Sequence, residues 1–334
     1  MRPTQRPDST EVTYSHDQQW VIAGSPDHYG VSVQLSPAEN GHIGSNILYL
    51  GKFNLKTREV GCQEFEVIVP NSARMFDTEG RLEELEIAAK ALPVGHKYQT
   101  VRVFVSPKDL GAAGGYVPEF QNEAVIVDNP QPGRASVLWI HEYVHTLQGF
   151  RTQPELAWLY EGSATYLSLR VAVEHGEITP RAYDYYLQQG AREFNTTLTA
   201  AQSERVAYRR GAVVLAILDR ELATTYDRSV VGLMTELSEV RNPGTEDVVR
   251  WLRDDVGMDE HGAEHTVRLV ESDDVLHPPL LVADSKTPEW FLSLLAQISA
   301  TSVRAVCAAF GVLFVVVYVD EWRQSDESEA EEDS

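Results

Sequence analysis

Histidines at positions 141 and 145 constrain this 334-residue chain more than any other feature. The run Ala135-Ser-Val-Leu-Trp-Ile-His-Glu-Tyr-Val-His-Thr-Leu147 reads as a helix apolar enough to be buried. Positions i and i+4 of a helix share one face, so His141 and His145 present two imidazoles to one point. Glu142 projects in an adjacent direction, within reach of a water held there. Two neutral imidazoles and a carboxylate suit tetrahedral zinc, with the fourth position left to water. A buried helix with this much polarity also needs a compensating partner, because unpaired buried charge is costly.

Glu161 supplies that partner. It lies within Pro154-Glu-Leu-Ala-Trp-Leu-Tyr-Glu-Gly-Ser-Ala-Thr-Tyr166, a second apolar helical stretch. Gly149 and Pro154 bracket a short connection of turn formers between the two helices. A helix, a turn and a returning helix bring Glu161 beside the histidines, and the small Gly162 and Ala164 permit close helix approach.

His141-Glu-Tyr-Val-His145 followed by Trp158-Leu-Tyr-Glu161-Gly-Ser-Ala-Thr-Tyr166 resembles the gluzincin metallopeptidases of the peptidase MA clan, most of all the aminopeptidase N and glycyl aminopeptidase families. The resemblance implies a thermolysin-like catalytic domain in which His141, His145 and Glu161 bind one Zn2+ and Glu142 is the general base. Fifteen residues separate His145 from Glu161, fewer than in aminopeptidase N, and a shorter inter-helix loop accounts for the difference. Ala207-Tyr-Arg-Arg-Gly-Ala resembles the Tyr-x-Lys-Gly stretch of those families. It implies that the Tyr208 hydroxyl serves the developing oxyanion, with Arg210 in the lysine's place; a core tyrosine at a helix start is the plainer alternative.

The amine-recognition strand Gly-x-Met-Glu-Asn does not carry over. Gly114-Gly-Tyr-Val-Pro-Glu-Phe-Gln-Asn-Glu123 stands in that region, leaving Glu119 or Glu123 as candidates to hold a substrate ammonium. The implied function is a zinc-dependent peptidase acting on a peptide or protein through a metal-activated water. Aminopeptidase-like specificity and internal cleavage both stay open. The alternative is a catalytically inactive gluzincin fold kept as a membrane-anchored binding protein.

The remaining chain predicts an α+β layout. Residues 1–18 read as a disordered arm, and 19–75 as a small β-rich N-terminal portion with strand signals at Tyr29–Leu35 and Phe65–Val69. A catalytic domain is expected over 76–285, with a helix at Leu82–Leu92, strands at Val101–Val105 and Glu123–Asp128, and mostly helix from Ser136 to about Val256. His261-Gly-Ala-Glu264-His265 matches an inverted zinc pattern but sits in a charged stretch, and is expected to be a solvated surface loop. Residues 299–319 approach the length needed to span a bilayer and read as a transmembrane helix, a buried C-terminal helix being the alternative. Arg304 can snorkel toward one interface, and Tyr318 and Trp322 suit an aromatic belt at the other.

Charge sorts the partners. Net charge is −22, of which residues 320–334 hold seven: eight acidic side chains against Arg323. This tail reads as disordered. So acidic a chain lacks the basic patches that nucleic acid requires. Arginine outnumbers lysine 22 to 6, and with the acidity this resembles halophilic composition. Met1–Trp20 lacks the apolar stretch of a signal peptide, which favours a cytoplasmic catalytic side, whereas related anchored peptidases favour the outside. A single-pass cell-membrane protein follows, with orientation and oligomeric state open. Two cysteines, Cys62 and Cys307, offer neither a disulfide framework nor a cysteine metal site.

Overall fold

Apolar residues alternate with polar ones through much of the first half of the chain, and the alternation becomes two sheets. The computed structural model describes residues 14–16, 21–24, 41–45, 47–73, 77–94, 98–107, 115–117, 122–127, 132–150, 152–193, 197–199 and 204–282. Strands β1 (Tyr14–His16), β2 (Val21–Gly24), β3 (Gly41–Ile43) and β4 (Ile47–Leu50) form an antiparallel sheet in the order β1-β2-β4-β3. Strand β1 falls inside the stretch assigned to a disordered arm, and its pairing with β2 gives its backbone partners. The strand expected at Tyr29–Leu35 lies outside the described residues.

The second sheet has the order β5-β6-β7-β9-β8, from β5 (Phe53–Val60), β6 (Gln63–Pro70), β7 (Thr100–Ser106), β8 (Gly115–Tyr116) and β9 (Glu123–Val127). β6, β7 and β9 are parallel, and both edge strands run antiparallel to them. The inner parallel strands read Phe65-Glu-Val-Ile-Val and Val101-Arg-Val-Phe-Val because both of their faces are covered. β5 instead exposes Lys56 and Glu59, as an edge strand exposed to solvent should. Helix α1 (Thr78–Ala91) makes the β6–β7 crossover; the Asp77 carboxylate caps it by accepting from Gly80 N at 2.8 Å. The sheet therefore crosses position 75, the boundary expected between the β-rich portion and the catalytic domain.

Strand alternation gives the sheet two chemically different faces. Ile68, Phe104 and Val125 pack with Ile22, Ile47 and Tyr49 of the first sheet. Phe65, one face over, meets the ring of Tyr143 edge-on at 5.5 Å. The helical half thus lies on one face and the N-terminal sheet on the other.

The helices are α2 (Pro132–Leu147), α3 (Ala157–Glu174), α4 (Pro180–Glu193), α5 (Glu204–Glu221), α6 (Val230–Glu239), α7 (Thr245–Arg250) and α8 (Glu260–Glu271). A 3-10 turn at Pro154–Leu156 leads into α3, and π-helical turns at Leu222–Tyr226 and Trp251–Asp255 follow α5 and α7. The expected loop at His261–His265 is instead the first turns of α8, capped by Asp259. Ala263 and Thr266 face inward at helical spacing, which turns His261, Glu264 and His265 to solvent.

Contacts divide the chain into residues 1–179 with 185–279, and residues 180–184 with 280–334. In the second unit residues 180–184 and 280–282 are described, and there Asp184 accepts from the amides of Leu281 and Val282 at 2.8 and 2.9 Å. The proposed transmembrane helix 299–319 and acidic tail 320–334 lie outside the described residues. Among the described residues no helix is long and apolar enough to cross a membrane.

Candidate metal centre

Helix α2 is buried because Trp139, Ile140, Tyr143, Val144 and Leu147 leave it almost no wettable surface. His141, Glu142 and His145 go in with it, at 7%, 4% and 5% exposure. Helix α3 returns against α2 after the 3-10 turn and delivers Glu161. Its carboxylate Oε2 stands 3.3 Å from His141 Nε2 and 3.2 Å from His145 Nε2, and the two nitrogens are 3.0 Å apart.

That triangle can be tested against zinc. Ligands about 2.0–2.1 Å from a tetrahedral ion stand about 3.3 Å from each other, close to the three separations observed. Glu161 Oε2 and Glu142 Oε2 are both shut from solvent without a hydrogen-bond partner, a costly state for buried polar atoms that a cation bound by the cluster would relieve. The cluster is a group of three metal-ligating side chains within mutual reach, and the donor set fits one zinc ion.

Electrostatics treat the two histidines differently: burial lowers both, but at His145 the Glu161 and Glu142 carboxylates outweigh it and the net shift is upward. Burial favours a neutral Glu161, yet the close approach of His141 and His145 outweighs it and holds the carboxyl well below its usual range. Burial lowers His141 and so keeps its imidazole neutral, as a ligand must be. Burial pushes Glu142 up to about 7, with Glu161 adding to the rise and His145 opposing it. A carboxylate poised there exchanges protons readily near neutral pH.

Two close backbone approaches complete the geometry. A Cβ on Gly115, in edge strand β8, would stand 2.7 Å from Glu142 Oε1 and 2.9 Å from the Val125 carbonyl oxygen, so only glycine leaves the Glu142 carboxylate its place. Gly162 of α3 and Gly211 of α5 meet likewise: a Cβ on either would lie 3.0 Å from the other's Cα. Helix α5 therefore comes near enough for the Tyr208 ring to stack on His141, with centroids 5.4 Å apart and planes at 10°. Tyr160 stacks on His145 from its own direction, at 4.4 Å and 18°.

The residues expected from sequence separate cleanly. His141, Glu142, His145, Glu161 and Tyr208 gather at one site. Glu123 does not join them, which corrects its candidacy for a substrate ammonium. Glu66, Arg102 and Glu123 stand side by side across β6, β7 and β9, in the same alternation as Phe104 and Val125, on the face that meets the N-terminal sheet. The Glu123 carboxylate is fully buried; it accepts from the amides of Ser45 and, at 2.9 Å, Ile47, with Arg102 Nη1 at 3.6 Å. It braces two sheets together. Glu119 lies outside the described residues. Arg210 is buried and donates to the carbonyls of Asp274 (3.0 Å) and Ser272 (2.7 Å), holding the segment after α8. Gly115, Gln148 and Tyr160 were not anticipated. Only Gln148, three residues beyond His145, stood where spacing alone could have flagged it.

No protein-family model matches the chain, and neither does any curated protein sequence. Solved structures do match. An aminopeptidase N family protein from Idiomarina loihiensis superposes with TM-score 0.54 at 15% identity, covering 70% of this chain and 49% of that one. The fold resembles that of the M1 zinc metallopeptidases. An M1 zinc metallopeptidase from Deinococcus radiodurans gives 0.51 at 18% identity, over 70% of this chain and 55% of that one. Leukotriene A4 hydrolase from Saccharomyces cerevisiae gives 0.51 at 13%, over 81% and 50%. The present chain thus spans about half the length of these M1-fold proteins. The likeness supports the gluzincin resemblance seen in the motifs; at these identities it speaks to the fold.

Proposed function

We propose that this chain is a zinc metallopeptidase that hydrolyses peptide bonds, with His141, His145 and Glu161 as metal ligands and Glu142 as general base. The observation that carries the reading is the convergence of three ligating atoms at 3.0–3.3 Å beside a buried, unpartnered carboxylate. Zinc bound there would acidify a water and polarise a carbonyl. Glu142, with its carboxyl pushed up to about 7, takes the proton of the attacking water and returns it to the leaving amine. The Tyr208 hydroxyl donates to the substrate carbonyl oxygen as charge gathers on it. Its ring is already stacked against a metal ligand, which supports that assignment. Gly115 keeps edge strand β8 clear of the base. The reading includes attachment to a membrane through residues 299–319.

Metal analysis of the purified chain and cleavage of a peptide library, with and without a chelator, test the proposal together. One zinc per chain and chelator-sensitive cleavage are expected. Zinc-loaded protein that cleaves nothing would favour the binding-module alternative, and a chain that takes up no zinc would end both readings. Free and blocked N-termini in the library read the cleavage mode.

A further inference from the structure

We propose that Gln148 is a positioning residue that selects the metal-binding tautomer of His145 and ties the two ligand-bearing helices together. The inference rests on the zinc reading of the site and adds to it a residue outside the motif. Gln148 lies one position past the end of α2, is 2% exposed, and donates its backbone N–H to the His145 carbonyl at 3.2 Å.

The orientation of its amide follows from a backbone atom. The Tyr160 carbonyl oxygen can only accept, so the Gln148 group 2.7 Å from it is the NH2. The same nitrogen lies 2.8 Å from Ser163 Oγ, whose own hydrogen goes to the Tyr160 carbonyl at 3.3 Å. The amide oxygen is thereby turned the other way, and it meets His145 Nδ1 at 2.7 Å. An amide oxygen only accepts, so Nδ1 carries the hydrogen. As a metal ligand the imidazole is neutral and has a single N–H, so with the hydrogen on Nδ1 the lone pair is on Nε2. Nε2 is the atom that stands 3.0 Å from His141 Nε2 and 3.2 Å from Glu161 Oε2.

The same amide acts on the third ligand. Tyr160 precedes Glu161, so a bond to its carbonyl holds the turn of α3 from which Glu161 projects. The Tyr160 ring, stacked on His145, limits tilt of the imidazole that Gln148 has oriented. Partners of this kind fix ring orientation and ligand basicity in metal sites, and their loss weakens metal binding about 10–100-fold. At 2% exposure no solvent is at hand to replace the missing bonds.

The test compares Gln148→Met, Gln148→Glu and Ser163→Ala with the wild-type full-length chain. Zinc affinity is read by competition with a chromophoric chelator. The His145 tautomer is read from ring nitrogen shifts of metal-free, histidine-labelled protein, at a pH high enough that the ring is neutral. Gln148→Met is expected to weaken zinc about 10–100-fold and to give a mixed tautomer signal. Ser163→Ala should keep the single tautomer. Gln148→Glu still accepts from Nδ1 but cannot donate to the Tyr160 carbonyl; it should keep the tautomer and lower the melting temperature, and it decides the matter if the methionine variant does not fold. Unchanged affinity with a single tautomer in Gln148→Met, or a mixed tautomer in Gln148→Glu, overturns the role of Gln148. A wild-type chain that binds no zinc overturns the peptidase reading instead, and the two failures are told apart by that one measurement.

Discussion

Helices α2 and α8 each carry histidines four residues apart with a glutamate between them, and they end in opposite environments. On α2 the apolar residues Ile140, Tyr143, Val144 and Leu147 surround the pair, so His141 and His145 are carried into the interior. On α8 the inward positions are Ala263 and Thr266, and the polar triple His261, Glu264 and His265 faces water. Among the described residues only the α2 pair is joined by a third ligand. A two-histidine spacing is thus half a site. What completes it is a second helix whose apolar face must pack against the first.

The contrast can be broken at its strongest point first. Glu142→Gln keeps the proposed ligands and removes the proposed base; turnover of a cleaved library peptide should fall about 10³-fold with zinc content unchanged. A fully active variant would remove Glu142 from the chemistry. Tyr208→Phe keeps the ring stacked on His141 and deletes only the hydroxyl. It should lower kcat about 10²-fold while zinc affinity holds, and a loss confined to zinc binding would make Tyr208 a packing residue.

The packing that separates α2 from α8 can be tested next. Gly211→Ala puts a methyl 3.0 Å from the Gly162 Cα and 3.1 Å from the Trp158 ring, both held in the packed interior. Overpacking of this kind costs about 1–3 kcal/mol, seen as a lower melting temperature, and it should carry Tyr208 away from His141.

Metal-free protein offers a subtler comparison. Burial lifts the Glu142 carboxyl from 4.5 to about 7, so its protonated form stabilises the fold fully below pH 4.5 and that contribution is lost as pH rises through 7. Glu142→Gln should therefore stabilise the chelated protein above pH 7, by at most about 3 kcal/mol, and make no difference below pH 4.5. Equal stability of the two proteins at pH 8 would show that Glu142 carries no such burden. The smallest effect belongs to α8: His261→Ala with His265→Ala should leave one zinc per chain and shift stability by less than about 0.5 kcal/mol. Loss of metal from that double variant would erase the distinction between the helices.

Much of this was legible in the residues. Helix α1, strands β6, β7 and β9, and the pair of ligand helices all carry periodicities that survive folding, because local burial and tertiary burial agree there. Glu123 illustrates where reading stopped. Its strand was plain, but which face of the sheet it occupies depends on where α2 packs, and strand alternation alone does not say which face a helix covers. The α8 segment failed differently: a high content of charge suggested a loop, whereas two inward positions, Ala263 and Thr266, and an Asp259 cap suffice for a helix. Membrane attachment was read from a segment outside the described residues and stands as a proposal.

The sequence by itself determined the donor set and its spacing on each helix, because helical geometry fixes which side chains share a face. Tertiary structure decided everything that depends on two elements meeting. It brought Glu161 within 3.3 Å of both histidines, set Gly115 against Glu142, let Gly162 and Gly211 touch so that Tyr208 reached His141, and turned Gln148 toward His145. It also sent Glu123 to the far side of the sheet. Each of these rests on packing between segments distant in sequence, where the deciding quantity is the separation of two backbones.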